Sequence, residues 1–302
     1  MANAGAMKIP GLHHAETWLR RWRDRWIEQR HVPRYLSIDM LWSKLAVEGY
    51  VLVRKCGDHR IAFDPSDQVI GRALILNGDW QRGDSERAIG FLSANGMLAP
   101  DGVFVDVGAN IGTQSVYASL SGRFARVLAL EPSPAEFELL GINVRLNGLT
   151  GTVDCRQVAV GAKASSMALA LNAVNRGDHR LVEEPGANCV AVNVLPLDAI
   201  LEGEGIDAAE VGLVWIDVQG HEPQVCEGMP RVLAAGVPLV IEFNVEDYGE
   251  AGTRAFAGHL AQHYDSFVDI ADESLVVRRV PDLAMLPRVA DVLVFRSAAR
   301  CS

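Results

Sequence analysis

The sequence predicts an α/β protein built on a doubly wound, mostly parallel sheet with an antiparallel edge. From residue 103 onward, short apolar strands alternate with helices, which is typical of a parallel sheet covered on both faces. The first strand runs directly into a glycine-rich turn at 108–112. The last forty residues contain several short apolar runs with few helical patterns, which predicts antiparallel strands at one edge.

The individual elements follow from hydrophobic runs and turn residues. The predicted strands of the sheet are 103–107, 127–130, 153–160, 213–218, 238–243, 266–270, 275–277 and 292–295, and the predicted helices between them are 115–120, 134–146 and 224–234. Segments 167–171 and 191–195 are predicted to pair either on the sheet edge or as a hairpin over it. This series makes residues 96–302 the main domain.

Residues 1–95 differ in pattern and are predicted to form a helical and hairpin extension. Residues 50–54 and 60–63 predict a hairpin, and 84–94 a helix. In segment 15–30, three tryptophans recur every four residues and share one helix face: Trp18, Trp22 and Trp26. Such a helix packs either on the core or on a second subunit, giving a homo-oligomer, or it lies on a membrane surface. Interspersed acidic residues weaken the membrane alternative.

Composition narrows the class of function. The formal charge is −10, so the chain as a whole repels nucleic-acid phosphate, and we expect no nucleic-acid partner. Nowhere do 18 apolar residues follow one another, and stable membrane insertion is not expected. Five scattered cysteines without a CxxC pair indicate reduced thiols and a cytoplasmic protein.

The turn after the first strand is the first candidate binding site, because open sheets bind ligands beyond the carboxyl ends of their strands. It reads Asp106-Val107-Gly108-Ala109-Asn110-Ile111-Gly112. Gly108 and Gly112 allow a tight turn, and the free amides of the next helix suit an anion such as a methionine carboxylate. The dinucleotide pattern GxGxxG is absent, since Asn110 and Thr113 stand where glycines belong. A pyrophosphate ligand is therefore disfavoured.

A second anchor lies at the end of the second strand. Glu131 follows Gly108 by 23 residues, and an acidic side chain at about this spacing hydrogen-bonds a ribose diol. With Asp106, it favours a nucleoside carrying a positive charge, as in the sulfonium of S-adenosyl-L-methionine, whose product is S-adenosyl-L-homocysteine. Ala159, near the end of the third strand, is predicted by position to flank the adenine. Alternatively, Asp106 only organises the loop, and Glu131 is only a surface carboxylate or a helix cap.

The fourth predicted strand ends in a polar run at 217–222 where the methyl acceptor has to approach. His221 is a candidate base, because its reference pKa is near neutrality. Asp217 either orients the acceptor or binds the donor's ammonium group. Glu222 either holds His221 or caps the next helix, and with Asp217 it offers two oxygens to a divalent metal, too few for a metal site. Glu242 and Asn244 follow the next strand on the same rim, where they either contact the acceptor or simply complete the sheet.

Taken together, these stretches resemble the FkbM family of methyltransferases. The matching segments are 105–112, Glu131-Pro132-Ser133-Pro134, Asn143, Asn147-Gly148, 197–200, 216–222 and Ile241-Glu242. The resemblance implies a Rossmann-like fold of the class I methyltransferase type and O-methylation of a hydroxyl on a sugar or natural product. It implies a donor-binding role for Asp106, Gly108, Asn110, Gly112, Glu131 and Ser133, and a role in the active centre for Asp217, His221 and Glu222. The family usually has lysine at Trp215 and glutamate at Gln219, so the acceptor class and any metal requirement are left open.

Three other functions remain as alternatives. One is a catalytically silent adenosyl-binding scaffold, against which the polar run after the fourth strand argues. Another is a nicotinamide oxidoreductase, disfavoured by the missing glycines. The last is methylation of a macromolecule.

Overall fold

The computed structural model describes residues 38–47 and 49–297, and the chain divides into two compact units, Met1–Tyr50 and Val51–Ser302. In the first unit, the described element is helix α1, Ile38–Val47. The predicted tryptophan helix at 15–30 lies outside the described residues. No helix of the described part is long and apolar enough to cross a membrane.

The second unit begins with a hairpin and two helices and then alternates strands with helices. Its strands are β1 Leu52–Cys56, β2 His59–Phe63, β3 Val103–Val107, β4 Arg126–Leu130, β5 Val153–Arg156, β6 Ala159–Val160, β7 Ser165–Ala170, β8 Arg180–Val182, β9 Cys189–Leu195, β10 Val211–Ile216, β11 Leu239–Phe243, β12 Ser266–Asp269, β13 Arg278–Arg279 and β14 Ala290–Phe295. Its helices are α2 Ile70–Asn77, α3 Arg82–Ala94, α4 Thr113–Leu120, α5 Pro134–Leu146, α6 Leu197–Gly203, α7 Glu222–Glu227, α8 Pro230–Ala235 and α9 Val245–Leu260.

The main sheet of the described chain has eight strands in the order β13-β12-β14-β11-β10-β3-β4-β5. Strands β5, β4, β3, β10 and β11 are parallel, and β14 pairs antiparallel with both β11 and β12. Every residue of β3 and β10 is buried, because helices cover both faces. The prediction of a doubly wound, mostly parallel sheet with an antiparallel edge is confirmed.

A second sheet of four strands, β6-β9-β7-β8, lies apart from the main one. The predicted pairing of 167–171 with 191–195 is confirmed as the antiparallel pair β7 and β9. The predicted strand 153–160 is wrong as one element, because β5 belongs to the main sheet and β6 to the second. The chain therefore leaves the main sheet after Arg156 and forms a separate layer.

Two other predictions at the carboxyl-terminal side need correction. The predicted strand 275–277 is irregular, and the short strand beside β12 is β13. The predicted helix 224–234 is two helices, because Pro230 begins α8 and Gly228 packs against another segment. A Cβ on Gly228 would lie 2.2 Å from the carbonyl oxygen of Gly161.

Two asparagines of helix α5 bind the hairpin to the main layer. Their side-chain amides form hydrogen bonds with the backbone of β2, as the backbone of a neighbouring strand would. Asn143 accepts the amide of Ala62 at 2.6 Å and donates to its carbonyl at 2.9 Å. One turn later, Asn147 makes the same pair of bonds to Arg60, at 2.8 and 2.7 Å. The spacing fits, because side chains four apart on a helix share a face and alternate strand residues share an edge. The hairpin thus belongs to the second unit, which begins at Val51.

Replacing Asn143 should destabilise the protein much more than replacing Asn147. Asn143 is fully buried and also donates to the carbonyl of Ile111 at 2.8 Å, so Asn143→Ala leaves several buried groups unpaired. We expect a loss of about 2–4 kcal/mol in the free energy of unfolding. In Asn147→Ala, water replaces the half-exposed side chain, and the loss should be about 1 kcal/mol. Urea unfolding of both variants checks this, and equal losses would contradict the role given to Asn143.

Candidate functional site

A cavity opens at the carboxyl ends of the central parallel strands. Residues from four of these strand ends line it: Asp106 at the end of β3, Gly108 and Asn110 after β3, Glu131 after β4, Asp217 and Gln219 after β10, and Glu242 on β11. The loop between β7 and β8 and the start of α2 also contribute to its wall. The site therefore lies where the sequence predicts, at the edge where parallel sheets bind ligands.

The glycine-rich loop after β3 is held by close contacts that admit no side chain. Gly108 has a φ of 83°, and a Cβ there would lie 1.9 Å from the carbonyl oxygen of Asp217. Gly112 has a φ of 86°, and a Cβ there would lie 2.5 Å from Cδ1 of Leu140. Gly108 lines the cavity, whereas Gly112 does not and supports the loop against α5. Both glycines are thus required by the fold, independently of any ligand.

Glu131 connects the ends of β3 and β4. Its two carboxylate oxygens accept the backbone amides of Asn110 and Ser133, each at 2.8 Å. Burial raises the pKa of Glu131 to about 8, although these two amides lower it. Glu131 lines the cavity, but Ser133 does not, and its hydroxyl donates to Glu136. Ser133 is therefore placed to support Glu131 and not to touch a ligand.

Asp106 lies at the end of β3 and is 1 % exposed. Its carboxylate accepts a hydrogen bond from the hydroxyl of Ser115 on α4, at 2.5 Å. Burial raises its pKa to about 7, and the neighbouring charge of Asp217 adds to this rise. Asp106 thus both organises the loop and lines the cavity.

A salt-bridge cluster closes one side of the cavity. Arg176, in the loop between β7 and β8, binds Glu136 at 2.6 Å and Asp64 at 3.1 Å. Its carbonyl accepts a hydrogen bond from the side chain of Asn110 at 2.9 Å. Burial would raise the pKa of Glu136, but the hydrogen bonds of His179 and Ser133 and the charge of Arg176 hold it at about 2. This loop is therefore attached directly to the glycine-rich turn.

The opposite side of the cavity is acidic. Gln219 donates to Asp217 at 2.6 Å and to Glu242 at 2.9 Å. Asp291, on the antiparallel strand β14, pairs in register with Glu242 and accepts a hydrogen bond from Gln81 at 3.1 Å. Burial raises the pKa of Asp291 to about 7, and the charge of Asp217 contributes.

The structure separates the three residues predicted to act in catalysis. Asp217 lines the cavity, whereas His221 and Glu222 do not. His221 lies against Gly161, where a Cβ would be 3.2 Å from its Nε2, and burial lowers its pKa. A direct role for His221 as base therefore receives no support from this geometry.

Glu222 is fully buried and organises the loop that carries Asp217. It accepts the amides of Val218 at 3.2 Å and Gly220 at 3.1 Å, and the hydroxyl of Tyr248 at 2.7 Å. Burial raises its pKa to about 7, although the Tyr248 and backbone hydrogen bonds lower it. This placement is that of a loop-positioning residue. Ala159 does line the cavity, but it comes from β6 of the second sheet and not from the end of a main-sheet strand.

Several cavity residues have no signal in the sequence. They come from segments that are distant in the chain: Trp80, Gln81, Arg176 and His179. Gln81 has a φ of 55° and receives a hydrogen bond from Gln114 at 3.2 Å. Trp215 stands out in the sequence only as a departure from the family pattern; it is 3 % exposed and lines the cavity.

Fold and site together define a Rossmann-like protein of the class I methyltransferase type. The family model described as "Methyltransferase FkbM domain" matches residues 106–273, more than half of the chain. The chain therefore belongs to the FkbM methyltransferase family. Its first 105 residues lie outside that match.

Curated relatives are similar to this chain over about half of its length. Methyltransferase 1 of Beauveria bassiana is 29 % identical over 43 % of this chain and 59 % of that protein. The hexuronic acid methyltransferase AglP of Haloferax volcanii is 27 % identical over 48 % of this chain and 56 % of that protein. The chain thus spans less than two thirds of either relative. A solved FkbM methyltransferase from Methylobacillus flagellatus has 17 % identity and a TM-score of 0.44, over 65 % of this chain and 44 % of that one.

The described residues include no group of three or more histidine, cysteine or acidic side chains arranged to hold a metal ion. Asp217 and Glu222, whose oxygens are the candidate metal ligands in the sequence, serve different purposes, since Glu222 faces backbone amides.

The close approach at Gly108 predicts that a single methyl group there disrupts the site. In Gly108→Ala, the Cβ collides with the carbonyl of Asp217 and the positive φ becomes strained, so we expect a loss of about 2–5 kcal/mol in the free energy of unfolding. The control is Gly151→Ala, because that glycine is exposed and no atom lies within 4 Å of where its Cβ would be. Its change should stay within about 0.5 kcal/mol in urea unfolding. Similar values for both variants would refute the packing constraint.

The raised pKa of Asp106 predicts that part of the free energy of unfolding is lost as the pH rises. Its pKa is raised in the folded state from 3.8 to about 7, so its stabilising contribution is full below 3.8 and is lost as the pH rises through 7. Between pH 4 and 8, wild type should lose on the order of 3 kcal/mol more than Asp106→Asn. The exposed replacement Asp101→Asn should follow wild type. Parallel pH profiles for wild type and Asp106→Asn would contradict the assignment.

Proposed function

We propose that the protein is an S-adenosyl-L-methionine-dependent methyltransferase acting on a hydroxyl of a small molecule. The observation that carries the proposal is the joint placement of Glu131 and the glycine-rich loop in one cavity, next to an acidic edge at Asp217. Family membership supports the same reaction.

The residues of the cavity fit an adenosyl donor in three respects. Glu131 offers a buried carboxylate at the end of β4, where a ribose diol is bound in folds of this type. The loop at 108–112 brings backbone close to the ligand, and α4 begins directly after it. Carboxylates at Asp106 and Asp217 suit the positive charge of a sulfonium. When bound, the donor supplies an electrophilic methyl group.

The same residues suit a phosphate-bearing cofactor poorly. The cavity lining of the described chain contains one arginine, Arg176, and its guanidinium is paired with Glu136 and Asp64. Asp106 and Asp217 would repel a pyrophosphate. This favours methyl transfer over a nicotinamide-dependent reaction.

The chain's own residues then have distinct tasks. Glu131 and Asn110 hold the nucleoside side, and Asp217 and Gln219 face the acceptor side. Trp80 and Trp215 contribute apolar walls that exclude water from the reacting groups. Methyl transfer is an in-line displacement, so this positioning is the main contribution that the protein makes to the rate.

The relatives suggest where to look for the acceptor. One of them is named a hexuronic acid methyltransferase. Sugars are therefore the first acceptors to test here, followed by hydroxylated natural products. A silent adenosyl-binding scaffold remains the competing function, and it predicts donor binding without turnover on either class.

Calorimetry with S-adenosyl-L-methionine, S-adenosyl-L-homocysteine and NAD tests the donor assignment. We expect the two adenosyl ligands to bind and NAD not to bind. Glu131→Ala should weaken binding of S-adenosyl-L-methionine by about 1–3 kcal/mol, because the carboxyl group that hydrogen-bonds the ribose is removed. Glu138→Ala, at an exposed position of α5, is the matched control and should bind as wild type does. Binding of NAD alone, or unchanged affinity in Glu131→Ala, would contradict the proposal.

A further inference from the structure

Asp217 and Glu242 form a pair of carboxylates held by one amide group. They come from adjacent parallel strands, β10 and β11. The side-chain nitrogen of Gln219 donates to Oδ1 of Asp217 at 2.6 Å and to Oε2 of Glu242 at 2.9 Å. All three residues line the cavity. Gln219 thus uses both of its hydrogens to fix the two carboxylates at the same place in the site.

The surroundings of this pair are almost entirely acidic. The carboxylates that face it from neighbouring elements are Asp106 on β3, Asp291 on β14, Glu222 on α7, Asp247 on α9 and Asp178 before β8. The nearby cation Arg180 is paired with Asp178 at 2.6 Å and Asp247 at 2.8 Å, and Arg288 acts on Asp291. Tyr248 donates its hydroxyl to Glu222. In the described part of the chain, no lysine or arginine forms an ion pair with Asp217 or Glu242.

Two neighbouring carboxylates without a cation do not both ionise readily. Burial, followed by the charge of Asp217, raises the pKa of Glu242. Burial also raises the pKa of Asp217, although the hydrogen bond from Gln219 lowers it. The two groups therefore titrate as a pair and not independently.

We propose that Asp217 and Glu242, joined by Gln219, act together as one general base, and that donor binding removes the proton from this base. The pair holds a single proton in the free protein, releases it to solvent when the sulfonium donor enters, and receives the proton of the acceptor hydroxyl during transfer. This inference rests on the proposed function. It makes Glu242 a catalytic residue, where the sequence predicts only a contact to the acceptor or the end of the sheet.

The location of the pair supports this coupling. Asp217 is bound to the donor loop, because its amide donates to the carbonyl of Val107 at 3.0 Å and its carbonyl packs on Gly108. A positive charge brought to this edge favours the ionised form of the carboxylates. His221, the base predicted from the sequence, lies outside the cavity lining and lacks this coupling.

The reaction is balanced in atoms and charge. The bond between sulfur and the methyl carbon breaks with its electrons remaining on sulfur, while the acceptor oxygen forms the new bond to carbon. The O–H bond breaks, and its proton moves to the carboxylate pair. A sulfonium and a carboxylate are thereby converted into a thioether and a carboxylic acid. Methyl transfer to a hydroxyl releases one proton overall. In this scheme that proton leaves for solvent during donor binding, before the chemical step.

Proton release on ligand binding tests the proposal without any acceptor. The binding enthalpies of S-adenosyl-L-methionine and S-adenosyl-L-homocysteine are measured at pH 7 in buffers of different ionisation enthalpy, which yields the number of protons released. We expect the sulfonium ligand to release close to one proton more than the thioether ligand. In Glu242→Gln the difference should fall to near zero, because Asp217 is then ionised before the donor binds. Glu138→Gln, the same change at an exposed position, should retain the wild-type difference.

Any other result overturns either this inference or the proposed function. Equal proton release by the two ligands in the wild-type protein overturns the inference, whether or not the variant folds. A difference that persists in Glu242→Gln shows that another group supplies the proton and overturns it as well. If neither ligand binds, the proposed function itself fails, which is distinguishable from failure of the carboxylate pair alone.

Discussion

The packing of Gly108 against the carbonyl of Asp217 is the contact on which the rest of the site depends. Strands β3 and β10 are neighbours, and the turns that follow them must diverge over the same edge of the sheet. They approach so closely that a Cβ on Gly108 would lie 1.9 Å from the Asp217 oxygen. This contact places the glycine-rich loop and the loop that begins at Asp217 side by side. Glu131 then extends the arrangement to β4 through its bond with the amide of Asn110.

Charge is distributed unevenly along this edge. At the β4 end, the cation Arg176 is paired with Glu136, which is fully buried and also contacts His179. At the β10 to β14 end, Asp217, Glu242 and Asp291 have amide partners but no cation among their described ion pairs. Buried carboxylates of this kind are costly unless something positive or a proton accompanies them. The electrostatics therefore favour a cationic ligand at Asp217 and disfavour an anionic one.

The sequence predicted the features that are local in the chain. Apolar runs ending in Asp106, Glu131 and Asp217 located three neighbouring strand ends, because each run is a buried strand bounded by its own turn. The spacing from Gly108 to Glu131 likewise reflects one strand–helix–strand unit. The same reasoning failed at residue 159, since nothing in 153–160 marks the point where the chain passes from one sheet to the other.

What the sequence could not predict depends on contacts between distant segments. Glu222 looks like a catalytic or capping residue beside His221, and only its bonds to Val218, Gly220 and Tyr248 show that it supports a loop. Asn143 and Asn147 match a family pattern, yet their pairing with β2 requires knowledge of where the hairpin lies. Trp215 lines the cavity, although the sequence marks it only as a departure from the family pattern. The hydrogen bonds by which Asp217 and Glu242 share Gln219 join separate strands, so the sequence does not show them either.

The central claim, that the cavity holds an adenosyl donor across β4, β3 and β10, is tested most directly by a crystal structure with S-adenosyl-L-homocysteine. The account predicts ribose hydroxyls within hydrogen-bond distance of Glu131 and the sulfur on the side of the cavity lined by Asp217. A ligand bound elsewhere, or one whose ribose faces Asp217 and not Glu131, would contradict it.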